Sequence, residues 1–208
     1  SQSYDGGIIE YSTNGGSSCT QLPAAGFFED GQNYNGTLHA SNPLGAKAAF
    51  VSTSNIGIAS TRYSLNSLAG QSVRFRWVIG TDEGTSTQGW RIDDIKIYTC
   101  EEEAETTPTA TATEEGPTPT PTETEVVGVE LLVNGGFEVD QDEDKVPDGW
   151  TGKGLAGDKQ KCNKPGKDIA YEGDCVLQFK GSAAENSKLS QNPDVSGLVA
   201  GDTLTLSG

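Results

Sequence analysis

The chain predicts an all-β protein built as two β-sandwich units joined by a linker, and three observations carry that expectation. Strand-like alternation recurs between Gly, Asn and Ser turns, with no helical period longer than a turn or two. An acidic Thr/Pro stretch divides the chain. The four cysteines fall two on each side of it, at 19 and 100 and at 162 and 175. The boundaries that follow are 1–100 for the first unit, 101–128 for the linker and 129–208 for the second unit.

In the first unit the clearest strand is Val73–Ile79. Val73, Phe75, Trp77 and Ile79 point one way and Arg74 and Arg76 the other, so one face is core and the other wet. Gly6–Ser12 is a second strand, followed by Asn14-Gly15, a strong hairpin turn signal. Trp90–Tyr98 is a third, whose alternation slips by one residue at Asp93-Asp94 and so predicts a bulge.

Residues 101–128 hold 8 acids, no base, no aromatic and four prolines. Like charges and polyproline II preference extend such a segment, and almost nothing in it offsets the entropy of ordering. In the second unit, turns are expected at Pro147-Asp148-Gly149 and Lys164-Pro165-Gly166, and short strands at Cys175–Phe179 and Leu189–Gln191. The run Thr203–Ser207 reads as one more strand, which at the end of the chain leaves an unpaired sheet edge open to self-association by strand exchange.

Charge and composition narrow the function. With 14 Lys and Arg against 30 Asp and Glu, the net charge of -16 argues against nucleic acid as a partner. No apolar run reaches the roughly 18 residues of a membrane span, which argues against membrane insertion. There is no Met, and the chain starts Ser1-Gln2-Ser3-Tyr4 without a signal-like pattern, as a piece processed from a longer protein would. None of the cysteines sits in a CxxC arrangement, so zinc is not expected. Of three possible pairings, Cys19–Cys100 with Cys162–Cys175 respects the division into units and implies an oxidising compartment. Asn35-Gly36-Thr37 has the form of a glycosylation acceptor.

Catalysis has little to work with. The only histidine, His39, lies in Gly36–Ala40 with no acid or Ser-Gly context, and no nucleophile elbow, zinc-protease or phosphate-loop pattern occurs. No catalytic residue is assigned. Metal is the better case, because Asp140, Asp142, Asp144 and Asp148 occupy relative positions 1, 3, 5 and 9 of one compact loop. Hard cations such as calcium take such oxygen-rich sites, although Lys145 and Thr151 stand where an EF-hand loop has its turn glycine and bidentate Glu. Glu138 beside Asn134-Gly135-Gly136 is a second candidate ligand, and Asp5, Asp93 and Asp94 a third set. For stacking on sugar rings the candidates are Tyr171, in a polar stretch, and Trp150, which fits a sandwich interior at least as well.

Two resemblances follow from these motifs. Ser67–Arg76 with Gly89–Ile95, and the opening Tyr4–Gly16, resemble the MAM-like jelly-roll domain appended to secreted bacterial peptidases of the immune inhibitor A kind. The resemblance implies that 1–100 lacks the first strands of such a domain, and Cys19 departs from it where many relatives have Trp. Leu132–Glu138 with Asp148-Gly149-Trp150 resemble galactose-binding-like carbohydrate-binding modules of the family 4, 9 and 22 kind. That resemblance implies that 129–208 is the N-terminal part of a longer module, and it casts Glu138 as a ligand of a structural calcium.

The expectation is thus a non-catalytic accessory region of a secreted, multi-domain bacterial protein, extracellular or on the cell surface, that binds polysaccharide or a glycoconjugate. The alternative is a structural or adhesive stalk stiffened by calcium and disulfides.

Overall fold

A computed structural model describes residues 2–22, 24–51, 59–84, 89–100, 128–155, 157–183, 185–193, 198 and 203–208. Before the acidic segment the strands are β1 (Gln2–Ser3), β2 (Gly6–Ser12), β3 (Thr20–Gln21), β4 (Phe28–Gly31), β5 (Gly36–Leu38), β6 (Ala48–Ala49), β7 (Thr61–Ser64), β8 (Arg74–Gly80), β9 (Trp90–Ile92) and β10 (Lys96–Cys100). After it come β11 (Gly128–Glu130), β12 (Thr151–Lys153), β13 (Lys159–Cys162), β14 (Cys175–Phe179), β15 (Asn186–Gln191) and β16 (Leu204–Ser207). Helical turns at Ala24–Phe27 and Asn66–Leu68 are the only helical elements among the described residues. The all-β expectation holds.

The strands form a first sheet in the order β12-β15-β8-β2-β3, a second in the order β11-β10-β16-β7-β4, a third in the order β13-β14-β9 and a fourth in the order β1-β5-β6. Two separate β-sandwich units, 1–100 and 129–208, were expected; in the structure strands of the two segments pair with one another within shared sheets. β8 pairs antiparallel with β15, β10 with β16 and β9 with β14, so three sheets draw strands from both segments. Cys100 and Gly128 are register partners, and the chain therefore leaves and re-enters the second sheet at one place. Residues 101–127 lie outside the described residues.

One core joins the layers. Ile9, Phe75, Trp77, Ile79 and Leu189 from the first sheet share a buried cluster with Tyr63, Ile97, Leu204 and Leu206 from the second and Ile92, Leu177 and Phe179 from the third. Each fully buried side chain of this size contributes on the order of 2 kcal/mol. The alternation in β8 is as the sequence implies, but its other face is only partly wet. Ile8 and Val78 pack under Leu38 and Ala49, so the fourth sheet covers part of the outer face of the first. Further along that face, Arg76 and Lys47 pair with the buried Glu10 at 2.5 and 3.3 Å. Glu10 and Arg76 are register partners, which makes this a cross-strand pair of opposite charges.

Three expectations are corrected. The slip at Asp93-Asp94 is a change of sheet: β9 ends at Ile92 in the third sheet, and β10 starts at Lys96 in the second. Asp94 takes φ 51° at the corner, a left-handed conformation that Asp tolerates better than most residues. The C-terminal strand is no edge, because β16 lies between β10 and β7, bonded on both sides. Leu204, Thr205 and Leu206 are buried there, since both neighbours complete the ladder. The Cys162–Cys175 disulfide forms between register partners of β13 and β14, but Cys19 is a free, half-buried thiol. Cys19 lies in the loop before β3 at the rim of the first sheet, whereas Cys100 ends β10 in the second, so the Cys19–Cys100 bridge is not made.

Candidate functional site

Two features place chemistry at the surface, and the first depends on the turn Asn134-Gly135-Gly136-Phe137. Phe137 is fully buried and anchors the turn, with Trp150 5.1 Å away and Trp77 a further 5.4 Å from Trp150. Trp150 Nε1 donates to the Asn134 carbonyl at 3.0 Å. Trp150 is therefore core and not a platform, its one polar atom satisfied by the turn. Gly135 is required by close approach, because a Cβ there would lie 1.9 Å from the Ile95 carbonyl oxygen.

Asn134 holds both ends of the acidic loop. Its amide donates to the Val139 and Asp148 carbonyls at 2.8 and 3.0 Å, and its Oδ1 accepts from the Val139 amide at 3.1 Å. With the ends fixed, Asp140, Asp142 and Asp148 bring one carboxylate oxygen each to within 4.8 Å of one another, the only such acidic group of three or more among the described residues. Each carboxylate also serves the loop, with Lys145 donating its backbone amide to Asp140 Oδ2, Gln141 to Asp148 Oδ1 and Asp144 to Asp142 Oδ1. Asp140 Oδ1 is buried with no hydrogen-bond partner.

The other predicted ligands are occupied elsewhere. Asp144 Oδ1 accepts from the Val146 amide and lies outside the cluster of three. Glu138 Oε1 accepts from the Asp174 and Cys175 amides at 2.9 and 3.0 Å, tying the turn to the disulfide strand. Asp5 accepts from the Asp82 amide, Asp94 pairs with Lys96, and Asp93 accepts from the Asp94 and Tyr171 amides, and among the described residues these three are not gathered into a cluster of acidic ligands. His39 stacks 4.8 Å from Tyr4 and bonds Ser41, with no acid partner among the described residues.

The second feature is a groove of about 1730 Å³ whose wall includes residues of β2, β9 and β13. Trp90 sits half-buried in that wall, between Phe50 and Phe179 at 5.9 and 5.8 Å. Its ring lies so close to β2 that a Cβ on Gly7 would come within 2.3 Å of it. Tyr171 stands at the same groove, 64% exposed, with its backbone fixed because Asp93 Oδ2 accepts its amide at 2.8 Å. Burial pushes the Asp93 carboxyl up and amide hydrogen bonds from Tyr171 and Asp94 partly oppose this. Of the two aromatics expected to stack, only Tyr171 is available. Trp90 was missed because an alternating strand gives no sign of which wall it will line.

Sequence reasoning also missed the pair Asp158 and Glu185, which are 6% and 4% exposed. Desolvation first, and then the neighbouring Asp158 carboxyl, raises the Glu185 pKa. Asp158 Oδ1 accepts from the Lys180 amide and Glu185 Oε2 from the Ser182 amide. Neither residue lines the groove.

Compared with known proteins, the chain matches no family model, no curated protein and no solved structure. The resemblances read from its motifs gain no support from these comparisons.

Proposed function

We propose that the chain is a non-catalytic glycan-binding module of a larger secreted protein, with the groove beside Tyr171 and Trp90 as its site. The observation that carries the reading is Tyr171: a large, exposed ring at the groove, on a backbone whose amide donates to Asp93. Stacking surfaces of this kind suit sugar rings, whose C–H faces are apolar while their hydroxyls seek hydrogen bonds at the rim. The disulfide between β13 and β14 fits an oxidising, extracellular setting. Retention on immobilised polysaccharides tests the reading, with Tyr171→Ala expected to lower affinity about 10-fold, the scale of ~1–2 kcal/mol for one aromatic contact. An unchanged melting temperature would show that the loss is local, and unchanged retention would refute the assignment.

A second reading, a structural stalk stiffened by calcium, is favoured by the acidic loop alone. Asp140, Asp142 and Asp148 would hold the ion, and the buried Asp140 Oδ1 is the oxygen with nothing else to bind. Calcium at millimolar concentration should then raise the melting temperature, and Asp140→Asn should abolish the rise.

A further inference from the structure

The groove wall carries a strip of cations that the rest of the chain does not neutralise. Residues 159–167 read Lys-Gln-Lys-Cys-Asn-Lys-Pro-Gly-Lys, four lysines in nine residues and no acid. The third sheet decides where two of them point. Lys159 is the register partner of Gln178, and Gln178 of Arg91, so the three form a row across β13, β14 and β9 on one face. Lys161, two residues along, shares that face, while Leu177 and Ile92 turn to the core. Lys164 and Lys167 exchange both backbone hydrogen bonds, at 3.1 and 2.8 Å, around the Pro165-Gly166 turn. That sets two like charges opposite each other, an arrangement that costs stability.

All five cations line the groove, and none forms an ion pair among the described residues. Five of the chain's 14 cations are thus gathered in one place although 30 acids are present to be paired with. Desolvation, then the charges of Lys159, Arg91, Lys167 and Lys164, pulls the exposed Lys161 ammonium below its ordinary value, which places these cations in one another's field. The acids of the same groove are already engaged, Asp5 by the Asp82 amide, Asp93 by the Tyr171 amide and Asp94 by Lys96.

We infer that this strip selects an anionic glycan, one bearing carboxylate or sulfate groups, for the groove; the inference rests on the glycan-binding reading above and adds the substrate class. Lysines at this spacing contact charges along an extended chain while Tyr171 stacks on a ring beside them. A duplex nucleic acid fits less well. The rest of the chain is more negative than its total of -16, and a polyanion with one charge per about 1.7 Å of axis is repelled by it more strongly than a glycan with charges spread over sugar rings.

The test compares polygalacturonate with its fully methyl-esterified form, the same backbone without charge, using the full disulfide-intact chain. Sulfated and neutral polysaccharide panels and a DNA duplex run alongside. Expected is binding to an acidic polysaccharide that is at least 10-fold tighter than to the neutral form, weakens at least 10-fold from 50 to 500 mM salt, and falls at least 10-fold in Lys161→Glu/Lys164→Glu. These are exposed positions, and tryptophan fluorescence verifies that the variant is folded. Binding to neutral polysaccharide alone, unchanged in that variant, overturns the anionic selection and leaves the glycan reading standing. Acidic binding that ignores the substitutions overturns the placement on this strip. Tighter binding to DNA than to any glycan, or no binding to any probe by a folded protein, overturns both readings.

Discussion

The acidic loop 139–149 and the basic strip 159–167 treat charge in opposite ways. In the loop Asp140, Asp142, Asp144 and Asp148 each accept a backbone amide from the loop itself, and Asn134 clamps its ends. The charges are part of the local architecture. In the strip the ammonium groups hold up nothing: the turn is made by backbone hydrogen bonds between Lys164 and Lys167, and the side chains remain outside any ion pair among the described residues. Charge that builds a loop explains itself. Charge left outside any ion pair among the described residues is what the anionic-glycan proposal rests on.

Substitutions can break or sharpen this contrast, beginning with the largest effect. Asn134→Ala removes three side-chain hydrogen bonds and leaves Ala at φ 53°, where Asn is better tolerated. It should destabilise the protein by about 2 kcal/mol in urea denaturation, the scale of several lost hydrogen bonds. If the acidic loop is architectural as argued, any calcium response should disappear with it.

A third way of handling charge belongs to Glu185, a buried carboxyl beside Asp158 whose proton affinity is raised by desolvation. The Glu185 pKa is raised in the folded state, so the folded protein binds that proton more tightly than the unfolded chain does. Its stabilising share is present at acid pH and is lost as pH rises from the unfolded value through the folded one. Glu185→Gln, which mimics the protonated form, should raise stability at pH 7 by about 1 kcal/mol, as expected when an uncompensated buried charge is removed. The gain should shrink toward zero at pH 4; a gain independent of pH would show that packing and not charge is responsible. The smallest effect belongs to the strip. Lys164→Gln relieves repulsion across the turn and should stabilise by a few tenths of a kcal/mol, the usual size of exposed like-charge pairs, with most of the gain lost in 0.5 M salt.

Much of this was legible in advance. The Gly6–Ser12 and Cys175–Phe179 strands and the Lys164-Pro165-Gly166 turn follow from strand-forming composition and turn chemistry, which are local properties, and the Cys162–Cys175 pairing from the two cysteines lying on one side of the acidic segment. The groove aromatic Trp90 and the buried pair Asp158 and Glu185 were not, because each becomes special only through residues far along the chain.

The sequence alone therefore determined the class, the inward and outward faces of β8 and the acidic loop, since patterning and local charge act between near neighbours. Tertiary structure decided that β16 lies inside a sheet, that strands from both sides of residues 101–127 complete one another, and that Glu138 ties down a turn. It also decided that Arg91 joins Lys159 and Lys161 on one face. The physical reason is that strand pairing is set by which unsatisfied backbone edges and apolar faces meet across long sequence separations, and nothing in a strand's own residues names its partner.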